Sequence, residues 1–387
     1  MKIIMRNTNK IVVCMLLLFG IIALFAFGLA LDNFETEQPV EEKSDNDNPY
    51  IEFSQLDNEI PLVGDIVLEW TKGELTALEL HQTYSGSVRV YCSRPAQLNY
   101  SIFNIPTGEK IVSQTLELSL TPSFEDAKQY DIENNKRSVT IDYLFTDSIY
   151  YYRLTVAFSD GSDTSTVGQF KTADTPRILM FDGAYNVRDI GGYKTTDGRK
   201  IKQGMLYRGT ELDGNLNERF TLDLESARIM REELGIRTEL DLRAESQDTA
   251  GNMIGEDCDH RYYALLVAYE KMFTDQGKKA MKKIFSDFAS EEIFPGYIHC
   301  SYGTDRTGMV VFFLQAVLGV SEEDLYNEWE LSTLYNGGAF YEDMEAFLKL
   351  FRDLDGKTTK EKAENYLLST GVTEQQIESI RDILLEE

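Results

Sequence analysis

The 387-residue sequence predicts a multi-domain chain, an all-β sandwich followed by an α/β domain with a central sheet flanked by helices. Three observations predict it. Residues 50–173 alternate short β-rich runs with turn signals at a period of two. From residue 176 onward, helical runs alternate with short apolar strands. The length itself favours two units, since domains cluster at about 100–200 residues.

Residues 1–31 come first. Lys2, Arg6 and Lys10 precede an uncharged, almost wholly apolar run from Ile11 to Leu31. Spanning a bilayer takes roughly 20 such residues, whereas a secretory signal has an apolar core of about 7–15. The run is therefore either a retained membrane anchor or, cut near Gly28-Leu29-Ala30, a signal peptide. In both cases the basic flank stays in the cytoplasm and the remainder is exported to the cell surface or beyond. Residues 32–49, rich in Glu, Asp, Asn and Gln, read as an acidic disordered linker.

Residues 50–175 form the expected sandwich. The runs 87–92, 97–103 and 138–144 alternate apolar and polar side chains. Tyr150, Tyr152, Leu154 and Val156 then alternate along one strand, Asp160-Gly161 turns the chain, and residues 167–172 close it. This ending resembles the last strands of a fibronectin type III domain, an immunoglobulin-like sandwich. The resemblance places Tyr150 as a corner tyrosine bonded back to the chain. No nucleophile–base pair stands out here, so a spacer, or a module that docks a protein or surface partner, is the expectation.

Residues 176–387 carry the chemistry. A helix is expected over 222–234, stopped by Gly235, then a strand over 236–242 and a helix over 272–288. The strand 297–299 leads into the loop Cys300–Arg306, an apolar helix over 307–318 leads out, and residues 321–387 read as helical. Loop amides and a helix N-terminus converging on one centre favour an anion. The same donors favour a thiolate at Cys300. Arg306 can grip two phosphoryl oxygens, and Thr307 can donate a hydrogen bond to the sulfur. The chemistry implied is attack of Cys300 on a phosphate monoester, protonation of the leaving oxygen by an acid, and hydrolysis of the phosphocysteine by water.

The string His299-Cys300-Ser301-Tyr302-Gly303-Thr304-Asp305-Arg306-Thr307-Gly308 resembles the phosphate loop of the bacterial atypical protein tyrosine phosphatases. So do Asn186 to Tyr193 with Leu206-Tyr207-Arg208, and Leu234 to Arg243. The resemblance implies a cysteine-phosphatase domain over 176–387. Cys300 would be its nucleophile, Arg306 its phosphate ligand and Asp305 its general acid. Ser301, Tyr302, Gly303, Thr304 and Thr307 would complete the phosphate cradle. Many tyrosine phosphatases carry the acid on a separate loop, which keeps Asp241, and behind it Asp248, as alternatives. The other reading of Asp241 is an ion pair with Arg243. Arg188 and Asp189 are expected to brace the site, with His299 in support. Relatives have Lys where this chain has Thr304, and that Lys is associated with phosphoinositide activity.

Lys and Arg number 38 against 65 Asp and Glu, a net charge of −27, which excludes nucleic acid as the main partner. Four cysteines (14, 92, 258, 300) and three histidines show no metal-ligand spacing, so neither a metal nor another cofactor is expected. Cys258, in an acidic setting, reads as an inert thiol. Three functions compete: an exported or surface-anchored phosphatase for protein phosphotyrosine, extending to phosphoserine and phosphothreonine; a phosphatase for inositol phosphates or phosphoinositides; and a non-catalytic surface protein whose loop only holds phosphate.

Overall fold

The computed structural model describes residues 48–54, 56–73, 75–83, 93–244, 252–336 and 340–387. The N-terminal apolar run, most of the acidic linker, the strand expected over 87–92, Cys14, Cys92 and Asp248 lie outside them. Among the described residues no helix is long and apolar enough to cross a membrane.

The first part begins with β1 (Tyr50–Ser54) and two short helices, α1 (Asp65–Thr71) and α2 (Ala77–Thr83). The strands β2 (Ala96–Phe103), β3 (Ile111–Ser119), β4 (Lys128–Asp131), β5 (Ser138–Ile141), β6 (Ile149–Phe158) and β7 (Asp163–Lys171) follow. They make two antiparallel sheets, β1-β2-β5 and β4-β3-β6-β7. Period-two patterning causes this: Tyr150, Tyr152, Leu154, Val156 and Phe158 of β6 all turn inward. They meet Ala96, Leu98 and Tyr100 of β2 in one hydrophobic cluster. The Tyr150 hydroxyl accepts a hydrogen bond from the Phe145 amide at 2.8 Å. The two helices correct the expectation of strands alone. Ile66, Val67 and Trp70, then Ala77 and Leu80, fall at helical spacing and bury one face.

The second part holds a five-stranded sheet in the order β11-β10-β12-β9-β8. Its strands are β8 (Arg188–Asp189), β9 (Leu206–Gly209), β10 (Thr238–Asp241), β11 (Asp259–Tyr262) and β12 (Gly296–His299). All run parallel except β8, which is antiparallel to β9. Every residue of β9, β10 and β12 is buried, as parallel strands covered on both faces must be. The helices are α3 (Leu224–Arg228, continued as a π turn), α4 (Asp275–Phe288), α5 (Asp305–Leu318), α6 (Glu322–Asn336), α7 (Phe340–Arg352), α8 (Thr359–Thr370) and α9 (Glu374–Leu384). The helix expected over 272–288 begins only at Asp275, because Thr274 caps it by accepting from Gly277 N.

α5 is buried on every side from Arg306 to Leu318, which is why its sequence carries no polar face. It sits in the main core with Phe347 and Phe351 of α7 and Tyr366 of α8. Residues 48–387 form one compact unit. The two parts are stitched at Arg177, which donates to the Leu144 and Tyr143 carbonyls at 3.0 and 2.6 Å and pairs with Asp189 at 2.8 Å. They meet again where α2 lies on α6. There the Glu330 carboxylate accepts from Ala77 N at 3.2 Å and Trp70 Nε1 at 3.4 Å.

Candidate active site

The loop after β12 lies at the carboxyl end of a strand flanked by β10 and β9, where ligands bind in open α/β sheets. Cys300 is buried at its base. Successive carbonyls of the loop are each tied away. Ser301 O accepts from Glu211 N at 3.1 Å, Tyr302 O from Asn186 Nδ2 at 3.3 Å, and Gly303 O from Asn186 Nδ2 at 3.4 Å and from Arg208 Nη2. Gly303 has φ +67°, and a Cβ there would lie 2.2 Å from the Gly209 carbonyl oxygen, so only glycine fits. Gly308 admits the Trp329 indole, whose Cε2 would lie 2.7 Å from an added Cβ.

Arg306 is buried and donates from Nη2 to Ser301 Oγ at 3.0 Å, which fixes its fork beside the loop. The Thr307 hydroxyl, in the first turn of α5, is buried without a hydrogen-bond partner in the structure. A buried orphan hydroxyl is costly unless an event during function uses it.

Behind the loop lies a buried charged network. Glu328 on α6 accepts from Arg188 Nε and from Arg208 Nη1, each at 2.7 Å. Arg188 also reaches Asn186 Oδ1 at 2.5 Å and Ser332 Oγ at 3.0 Å. Burial, with Arg188 alongside, pulls Arg208 down to about 10, which leaves it a cation at neutral pH. The network is therefore two cations sharing one carboxylate, with Arg208 also donating from Nη2 to the loop.

Two aspartates border the loop differently. Asp305 opens α5, is half-buried, and accepts from the Tyr269 hydroxyl at 2.7 Å. Asp241 is fully buried and accepts from Arg243 N, Nε and Nη2 at 2.8, 2.9 and 2.6 Å. Burial opposes its charge, but His299, His260 and Arg243 outweigh that and hold its carboxyl far below the usual range. Asp241 is thus ionised at neutral pH and has no proton to give. Arg243 is shared with Asp213 and Glu211 at 2.8 and 3.2 Å. The His299 ring bonds Glu239 at 2.9 Å. Burial disfavours its charge, yet Asp241 and Glu239 raise it to about 9.

Residues 179–386, more than half of the chain, match the profile of the Tyrosine phosphatase family. The chain belongs to the tyrosine phosphatase family. A Cupriavidus necator protein named as a candidate tyrosine-protein phosphatase is 28% identical over 172 residues, covering 38% of this chain and 60% of that protein. The chain thus spans about 60% of the length of this curated relative. The core catalytic domain of the PP-IP phosphatase SIW14 from S. cerevisiae, in complex with citrate, aligns over 37% of this chain and 82% of its own at 13% identity, with a TM-score of 0.27.

Within this tyrosine phosphatase family chain, Cys300 to Thr307, His299 and Arg188 gather around one loop, while Asp189 does not join them. Neighbouring strand residues point to opposite faces, so Asp189 turns from Arg188's network to Arg177, Gly204 N and Gly191 N. Sequence reasoning missed Glu328, Ser332, Glu239 and Tyr269 as members of the site. The signal available was weak, a Glu and a Ser four apart on one helix face. Tyr302, partly exposed at the mouth, packs edge-on against Phe220, whose ring meets Tyr185. Cys258 is buried and unpaired, its thiol pushed up to about 12 by burial and by Glu239 and Asp259.

Proposed function

We propose that the chain is a cysteine-dependent phosphatase of phosphate monoesters, foremost protein phosphotyrosine and secondarily phosphoserine and phosphothreonine. The carrying observation is the loop with its carbonyls tied outward, Cys300 at its base and Arg306 pinned to Ser301. A holder of phosphate alone has no use for a buried cysteine at the base of the loop or for an orphan hydroxyl at Thr307 in the first turn of α5.

In this reading Arg306 grips two phosphoryl oxygens and the Cys300 thiolate attacks phosphorus in line. The S–P bond forms as the ester P–O bond breaks, and Asp305 passes its proton to the leaving oxygen. Water then attacks phosphorus and gives a proton to the Asp305 carboxylate. The S–P bond breaks, releasing inorganic phosphate and a thiolate that Thr307 stabilises. Asp241 has a positioning role, holding Arg243 and, through charge, His299.

Two features support an aryl phosphate over an inositol lipid. Thr304 is buried and donates to Tyr302 O at 3.4 Å, so no second cation stands at that point of the cradle. The mouth is walled by Tyr302 and Phe220, which suit a flat aromatic leaving group. The reading also includes export by the N-terminal apolar run, and a fibronectin type III-like sandwich made of the two antiparallel sheets as spacer or docking module. Phosphate release from a phosphotyrosine peptide, an inositol phosphate and a phosphoinositide tests the substrate assignment. The peptide should turn over fastest, and the reverse order would overturn it.

A further inference from the structure

At the far end of α5 from the phosphate loop lies a cavity of about 660 Å³. α5 runs 14 residues, so at 1.5 Å per residue its C-terminal end at the cavity rim is about 20 Å from the loop, and Phe312, midway along it on the cavity floor, about 10 Å. Its lining has an unusual charge for this chain. Arg352, Lys357, Lys360 and Lys362 face it against one carboxylate, Glu322, in a protein where acids outnumber Lys and Arg 65 to 38.

That carboxylate is already engaged. It accepts from the Tyr326 hydroxyl and from Thr359 Oγ1. Glu361, outside the lining, is turned to its own helix start and accepts from Lys357 N at 2.7 Å. Arg352 and Lys362 are anchored, Arg352 on Tyr326 OH at 3.2 Å and on the Glu345 carboxylate, outside the lining, at 3.5 Å, and Lys362 on the Arg352 carbonyl at 2.7 Å. The ammonium groups of Lys357 and Lys360 meet no carboxylate within 4 Å among the described residues. Two cations are therefore held in place and two are available. The floor is apolar: Phe312 and Phe351 cross edge-to-face at 4.9 Å beside Val320.

We propose that this cavity is a second binding site, for a small organic anion that sets an apolar body on the phenylalanines and its charged head among the lysines. Like charges concentrated over apolar walls lose stability through mutual repulsion, and an anion relieves that cost. The cavity is large enough for a ring bearing one anionic group.

Phenyl phosphate is a suitable probe, titrated calorimetrically into the full chain carrying Cys300→Ser so that nothing is hydrolysed. The expected result is two equivalents bound. Adding Lys357→Ala with Lys360→Ala should weaken one of them by about tenfold per lysine and leave the other, since each charge-assisted contact contributes on the order of a tenfold factor. Arg306→Ala should remove the other equivalent and leave this one. Lys360→Glu is a second variant should the double change perturb folding, and circular dichroism reports that. A single equivalent, abolished by Arg306→Ala and indifferent to the lysines, would overturn the proposal. Inorganic phosphate should bind the cavity more weakly than phenyl phosphate, and equal binding would overturn the part assigned to the phenylalanines.

Discussion

Replacing Gly303 by alanine should disable the site while leaving the fold intact. The added Cβ would lie 2.2 Å from the Gly209 carbonyl oxygen and 2.5 Å from its carbon, where ordinary contact begins at 3.4 Å. Both atoms belong to the backbone of a fully buried strand, so β9 does not yield and the loop must back away by about 1 Å. A displacement of that size in a preorganised site costs about 10²-fold in rate. Holding an alanine at φ +67° adds about 1–2 kcal/mol of strain. Gly108 separates the two effects: its φ is +88°, and a Cβ there meets nothing within 4 Å. Turnover of p-nitrophenyl phosphate and inhibition by vanadate are the assays, with thermal unfolding as the folding control. Gly303→Ala should lose about 10²-fold in kcat/KM and bind vanadate more weakly, whereas Gly108→Ala should lose stability alone. Activity within twofold of wild type in Gly303→Ala would refute the close approach of loop and β9 as the source of the site's geometry.

Two further outcomes follow from the titrating groups. The Tyr269 hydroxyl donates to Asp305 and so favours its carboxylate, hence Tyr269→Phe should raise the acid's pKa and move the alkaline limb of the kcat/KM–pH profile upward, an unmoved limb counting against Asp305 as the acid. His299 is raised in the fold to about 9 from an ordinary value near 6.5, so its contribution is fully present below pH ~6.5, fades through the interval and is gone above about 9. It amounts to about 3 kcal/mol, and urea unfolding should show wild type losing that much more than His299→Gln between pH 6.5 and 9, equal losses in the two proteins being the contrary result.

What was legible in the sequence was whatever is local. The phosphate loop reads from ten contiguous residues because strand, loop and helix start are all built within them, and the inward face of β6 reads from its alternation. The partners of the loop were not legible, since Glu328 and Ser332 lie more than a hundred residues from Arg188 and Arg208 and reach them only through α6. The roles of Asp241 and Asp305 could not be separated by type or spacing, as both precede an arginine. Their surroundings differ only in the fold, where Asp241 is buried and takes three bonds from Arg243 while Asp305 is half-buried and accepts from the Tyr269 hydroxyl. Helices α1 and α2 were overlooked because seven-residue segments carry little periodicity, and their apolar faces acquire meaning only against α6.

The central claim is a covalent bond between Cys300 and phosphorus. Quenching the protein in denaturant during turnover of a phosphate ester, then digesting it and locating phosphate by mass spectrometry, measures that bond directly. Phosphate on the peptide containing Cys300, absent in Cys300→Ser together with activity, is the predicted result. Full turnover by Cys300→Ser, or phosphate trapped on another residue, would contradict the account.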